Sequence, residues 1–170
     1  HVPHRIDDGY GLTLGGVEKV HARGSRLIVT VDNGIAATEA IEKANALGME
    51  VIVTDHHKQE GELPPACAIV NPNRKDNEYP FQGIAGVGVA YKLCCALAPR
   101  ILSSDEARSF LQEALDLVTL GTVADMVPLV DENRVLVAQG LSRVASSKRA
   151  GVQALIEQAR AKRDLDPTDI

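Results

Sequence analysis

Two short β-branched runs flank a helical stretch, and this alternation restricts the chain more than any other feature. Arg26-Leu27-Ile28-Val29-Thr30-Val31 is almost continuously apolar, and Val51-Ile52-Val53 repeats the pattern. Between them Ile35, Ala40, Ile41, Ala44 and Leu47 recur at helical spacing, and Gly48 stands where a left-handed C-terminal cap is expected. Strand, helix and strand within roughly 30 residues form a βαβ unit. Its strands run parallel and its crossover is right-handed. Strands of a parallel sheet are covered on both faces, so both runs are predicted to be fully buried.

The remaining chain fits around that unit. Leu14, Val17 and Val20 mark a short helix ended by Gly24. Cys67-Ala68-Ile69-Val70 reads as a third strand, stopped by Asn71-Pro72, and residues 73–82 read as loop. Four helices are predicted after that: about Val87 to Leu97, about Asp105 (as N-cap) to Leu120, about Glu132 to Ala145, and one from near Val152. The expected fold is α/β: a three-layer αβα, Rossmann-like arrangement with a mainly parallel sheet and a helical C-terminal part. Residues 131–170 are expected to end the domain and lead into a linker helix carrying Arg160, Lys162 and Arg163. The chain opens in a loop without Met and closes without a domain-ending feature, so it is expected to be a piece of a larger protein.

Composition narrows the function classes. Hydrophobic residues make up 45% of the chain but aromatics only 3%, so Val, Leu, Ile and Ala must fill the core. Cys67, Cys94 and Cys95 are odd in number and two are adjacent, which opposes a disulfide framework and suits a reducing, cytoplasmic setting. No C-x-x-C offers a thiolate zinc site. Cys94 and Cys95 fall on an apolar helix and read as core. No apolar run reaches the roughly 18 residues of a membrane span. The net charge of −5 opposes a broad basic surface within this chain, although a patch of catalytic carboxylates would also shift the balance that way.

Chemistry gathers where the strands end. Asp32 follows the first strand, and Asp55-His56-His57 follows the second. Ligands of open parallel sheets bind beyond the carboxyl ends of the strands, and the crossover sets these two ends side by side. A mixed carboxylate and imidazole set suits Mn²⁺, Zn²⁺ or Fe²⁺ better than Ca²⁺. Asp125 adds a carboxylate amid apolar residues, between Val123-Ala124 and Met126-Val127. A buried charge there needs a partner, which a shared cation would provide. Each residue also has an ordinary reading: Asp32 and Asp125 as turn or capping residues, His56 and His57 as surface loop. Their joint placement on one rim favours the metal site.

Two further segments bear on phosphate binding. Gly83-Ile84-Ala85-Gly86-Val87-Gly88 precedes a helix and could present backbone N–H groups to a phosphate, or could allow close helix packing. Arg5, just before Gly9-Tyr10-Gly11, could clamp a phosphate or be a surface residue. His4 and His21 read as incidental.

Asp55-His56-His57 after a strand, with Val31-Asp32-Asn33-Gly34 upstream and Gly121-Thr122-Val123-Ala124-Asp125 downstream, resembles the DHH phosphoesterase superfamily. Pro3-His4-Arg5, Gly9-Tyr10-Gly11-Leu12, Ala85 to Ala90 and Leu120 to Leu129 bring the resemblance nearer to the RecJ single-strand-specific DNA exonucleases. The resemblance implies two-metal phosphodiester hydrolysis with Mn²⁺ or Mg²⁺, degrading single-stranded DNA from the 5′ end in recombination and repair. It implies that Asp32 bridges the ions and that His56 and Asp125 complete the ligands of one. Asp55 would be a ligand or would orient a neighbouring imidazole. His57 would face the scissile phosphate, and Arg5, Gly86 and Gly88 would hold substrate phosphate. A single-strand-binding protein and a helicase are the implied partners, in the cytoplasm.

The chain departs from the family pattern in one respect that matters. No D-x-D motif precedes Asp32 in it, and the second domain and the oligonucleotide-binding domain do not occur. Residues 1–130 are therefore expected to be a partial DHH domain with at most one well-formed cation site, inactive alone. The alternatives are a DHH-type enzyme for short oligonucleotides, cyclic dinucleotides or pyrophosphate, and a catalytically inactive nucleic-acid-binding module. A plain nucleotide-binding α/β domain is disfavoured because no recognisable Gly-rich phosphate loop is present.

Overall fold

The computed structural model describes Val2 and residues 9–159. The candidate phosphate ligand Arg5 lies outside the described residues, as does His4. The chain forms two compact units, His1–Gln82 and Gly83–Ile170.

The first unit carries the βαβ pattern. Its elements are α1 (Leu14–Ala22), β1 (Leu27–Val31), α2 (Thr38–Ala46), β2 (Glu50–Thr54) and β3 (Ala68–Val70). Thr13 starts α1, its Oγ1 accepting the Gly16 N–H at 3.1 Å. The strands lie in the order β1-β2-β3, all parallel. Val31 pairs with Thr54, and Thr54 with Val70, so the three carboxyl ends finish level. Such alignment creates the rim on which side chains from successive turns can meet.

One face of this sheet is covered. Val51 and Val53 pack with Val17 of α1, Ala40, Ile41 and Ala44 of α2, and Met49; Ile28 and Ile69 sit against the same cluster. The other face behaves differently from the expectation for β1. Leu27, Val29 and Val31 are each about half exposed, while Thr30 between them is buried. Among the described residues β1 is an edge strand, and both α1 and α2 pack on the opposite face, so its alternate side chains point away from the core. The prediction of burial on both faces is corrected to burial on one.

The second unit is helical: α3 (Gly86–Ile101), α4 (Ser104–Ala124), α5 (Asp131–Ala145) and α6 (Ala150–Ala159). α4 packs against both α3 and α5. The approach of α4 and α5 is close because a Cβ on Gly140 would collide with Thr119 Oγ1 and the Leu115 carbonyl. Buried Asn133 joins α5 to its surroundings, its Nδ2 donating to the carbonyls of Gly83 (2.7 Å) and Pro128 (3.0 Å). Asp116, also buried, accepts from Ser147 Oγ at 2.6 Å and from Arg149 Nε at 3.1 Å, fastening α4 to the turn before α6.

Two expectations are corrected here. α4 is capped by Ser103, not by Asp105. Ser103 Oγ accepts the Glu106 N–H, and the Glu106 carboxylate accepts the Ser103 N–H at 3.1 Å. This reciprocal pair satisfies two backbone donors at once, which a lone Asp105 would not. Cys94 and Cys95 are half-buried, not core. Among the described residues, no helix is long and apolar enough to cross a membrane.

Candidate metal centre

The turn after β1 sets the first ligand. Asp32 adopts φ +63°, a left-handed conformation that Asp tolerates better than most residues because its short polar side chain can bond locally. Thr30 fixes this turn, its Oγ1 donating to the Asn33 carbonyl at 2.6 Å. Asn33 Nδ2 donates to the Val31 carbonyl at 2.8 Å. Gly34 has φ +118°, and a Cβ there would lie 2.8 Å from Thr30 Oγ1 and 3.1 Å from Val53 Cγ1. Only glycine fits. The turn is locked to β2 as well, since Thr54 Oγ1 donates to the Thr30 carbonyl at 2.5 Å and the Asp32 N–H bonds the Thr54 carbonyl.

The second turn, after β2, is organised around Asp55. This residue is 1% exposed, yet both carboxylate oxygens are engaged. Oδ2 accepts the Ile35 N–H at 2.9 Å. Oδ1 accepts the N–H groups of His56 (2.8 Å) and His57 (3.2 Å), and meets His57 Nδ1 at 2.6 Å. Burial alone would push this carboxyl up; the N–H of Ile35, the His57 ring and the N–H groups of His57 and His56 outweigh it and hold the pKa below the ordinary value. An ionised carboxylate only accepts, so the His57 Nδ1 must be the protonated nitrogen. The outer nitrogen, Nε2, then carries the lone pair of the neutral ring.

His56 turns the other way. Its Nε2 lies 3.0 Å from Asp32 Oδ1. The two imidazoles stand edge to face, centroids 4.7 Å apart. Asp32, His56 and His57 each offer a ligand atom, and these atoms lie within 4.8 Å of one another. One carboxylate oxygen and two imidazole nitrogens are the donor set that Mn²⁺ and similar divalent ions accept, so the residues present fit such an ion. Asp55 does not belong to this group; its oxygens hold the backbone and the His57 ring instead.

The other candidates fall elsewhere. Asp125 belongs to the second unit, where it forms the C-cap of α4. It is exposed, and Met126 beside it is 89% exposed, so the expectation of an apolar burial for Asp125 is corrected. Gly86 and Gly88 lie buried in the first turn of α3. A Cβ on Gly88 would come within 2.6 Å of Ile84 Cγ1, so packing demands glycine there. Sequence reading missed Asn71 and Asn73, whose side chains reach the carbonyls of His57 and His56. It also gave no role to Tyr10, whose hydroxyl donates to the Asp32 carbonyl at 3.4 Å and which lines a cleft of about 740 Å³ together with Asn33, Thr38, Asp55, His57 and Lys58.

Comparison with known proteins places this geometry in a family. The profile of the DHH family, N-terminal domain, matches residues 1–122. The chain belongs to the DHH family. It is 51% identical over 165 residues to the single-stranded-DNA-specific exonuclease RecJ of Escherichia coli, covering 93% of this chain and 29% of that protein. It is 37% identical over 158 residues to the RecJ of Thermus thermophilus, covering 92% of this chain and 22% of that one. A crystal structure of exonuclease RecJ bound to manganese superposes with a TM-score of 0.83 at 34% identity, over 99% of this chain and 41% of that one. A second, RecJ of Thermus thermophilus in complex with Mn²⁺, gives 0.72 at 34% identity, over 89% of this chain and 22% of that one. This DHH-family chain thus spans less than a third of the length of these curated relatives. Its α/β fold, with a parallel sheet followed by helices, agrees with the solved structures.

Proposed function

We propose that this chain supplies part of the cation-binding site of a single-strand-specific DNA exonuclease that works from the 5′ end by two-metal hydrolysis. The observation that carries this reading is the convergence of Asp32, His56 and His57 at the carboxyl edge of a parallel sheet. The support from relatives is that proteins named single-stranded-DNA-specific exonuclease RecJ match most of the chain, and that two RecJ structures contain manganese.

Asp32 and His56 would hold the ion, Mn²⁺ or Mg²⁺. A divalent cation so placed lowers the pKa of a bound water and neutralises charge on a phosphate. The protein's own work is orientation. Asp55 keeps the His57 Nδ1 protonated, so Nε2 would be the nitrogen that His57 turns toward the scissile phosphate, to stabilise its developing charge or assist proton transfer. Arg5 and the backbone N–H groups of Gly86 and Gly88 would take phosphate oxygens of the strand. A single-strand-binding protein, a helicase and a cytoplasmic setting belong to the same reading.

The test is digestion of single-stranded and duplex DNA, labelled at either end, by the intact protein with Mn²⁺. The reading expects shortening of single strands from the 5′ end, abolished by Asp32→Ala and reduced at least ~100-fold by His57→Ala. Equal digestion of duplex, or full activity in both variants, would refute it.

A further inference from the structure

The two histidines of the centre sit on a stretch of backbone whose polar groups are all taken by side chains. Asp55 accepts the N–H groups of His56 and His57. On the carbonyl side, Asn73 Nδ2 donates to the His56 carbonyl at 2.6 Å, and Asn71 Nδ2 donates to the His57 carbonyl at 2.9 Å. The two amides are coupled, because Asn71 Oδ1 accepts the Asn73 N–H at 2.7 Å. Asn71 is 4% exposed and follows β3 directly. The sheet's own hydrogen bonding reaches the same point, since the Asp55 N–H bonds the Val70 carbonyl at 3.1 Å.

The segment bearing these amides is itself anchored. Arg74 grips Asp76 through two nitrogens and donates from Nη1 to the Ile69 carbonyl at 2.9 Å. Asn77 Nδ2 bonds the Pro72 carbonyl, Asn73 Nδ2 also reaches the Gln82 carbonyl, and the Lys75 N–H bonds Gln59 Oε1. A carbonyl held at one point can still rotate about its peptide; two successive carbonyls and their N–H groups held from opposite sides cannot.

From this geometry we propose that Asn71 and Asn73 are positioning residues of the metal centre: they clamp the His56–His57 backbone so that both imidazoles keep their directions before any ligand arrives. The proposal rests on the reading of Asp32 and His56 as cation ligands with His57 beside them. Groups that orient ligands from behind are worth roughly 10–100-fold in metal affinity, and preorganised ligands lose less freedom on binding.

The test compares the intact protein with Asn71→Ala, Asn73→Ala and the isosteric Asn73→Asp, which removes the donor but keeps the shape. Ile41→Val serves as a core variant that lowers stability away from the centre. Mn²⁺ titration gives the affinity, and ¹⁵N–¹H spectra of the metal-free, ¹⁵N-histidine-labelled protein report the His57 Nδ1 proton. The clamp predicts Mn²⁺ affinity at least about tenfold weaker in all three asparagine variants, unchanged affinity in Ile41→Val, and an altered His57 Nδ1–H signal in Asn71→Ala. Parent-like affinity and parent-like imidazole signals in the folded asparagine variants overturn it. If the parent itself binds no Mn²⁺, the metal reading fails, and the imidazole signals alone decide the clamp: altered supports it, unaltered overturns it.

Discussion

His56 Nε2 meets Asp32 Oδ1 at 3.0 Å, although the two residues come from turns after different strands. The contact follows from register. Val31 pairs with Thr54, so residues 32 and 55 leave the sheet at the same level. A left-handed Asp32 and an Asp55-anchored turn then aim the two side chains at each other.

Asp55 should be needed more for its bonds than for its charge on any ion. In Asp55→Asn one oxygen becomes an NH₂ that faces N–H donors, and a buried donor loses its acceptor. The expected loss is about 2–4 kcal/mol of stability, read by urea denaturation. The His57 ring should also lose its fixed tautomer, visible in imidazole ¹⁵N shifts. A loss under about 0.5 kcal/mol, the range of an ordinary surface substitution, would contradict the bonding described.

Gly34→Ala tests the turn that carries Asp32. The new Cβ meets Thr30 Oγ1 and Val53 at a backbone angle that side chains rarely adopt. Strain and overpacking together should cost about 2–4 kcal/mol. Thermal and urea unfolding would show it, and a neutral result would mean that the turn is relaxed.

The βαβ unit is legible because burial imposes periods on a sequence. Ile41, Val51 and Val53 are core for the reason their spacing suggests. Period says nothing of which sheet face is covered, so β1 reads as buried while Leu27, Val29 and Val31 lie on the face opposite α1 and α2. Bonds from side chain to backbone have no period at all. Asn71 and Asn73 therefore read as strand stop and loop, although they hold both histidine carbonyls. Ser103 and Glu106 do carry a recognisable spacing, but Asp105 stands between them with an equally good capping side chain. Asp125 reads as buried because its neighbours are apolar, whereas the helix end leaves it and Met126 exposed.

The Ser103 cap makes a prediction about pH. The Ser103 hydroxyl and N–H hold the Glu106 carboxyl below its ordinary value. A carboxylate with a lowered folded pKa adds stability that is fully present above the unfolded value, about 4.3, and is lost as pH falls through the folded value. In Ser103→Ala the Glu106 pKa should rise toward the ordinary range, and that part of the acid sensitivity of α4 should vanish. Carboxyl ¹³C titration by NMR of the two proteins checks the direction; an unmoved Glu106 would show that the cap does not set it.

Calorimetric titration of the 170-residue chain with Mn²⁺, beside its Asp32→Ala and His56→Ala variants, probes the metal centre itself. One site is expected in the parent, with affinity at least about tenfold weaker or lost in each variant. Equal affinity in all three proteins would contradict a cation site at the level strand ends of β1 and β2.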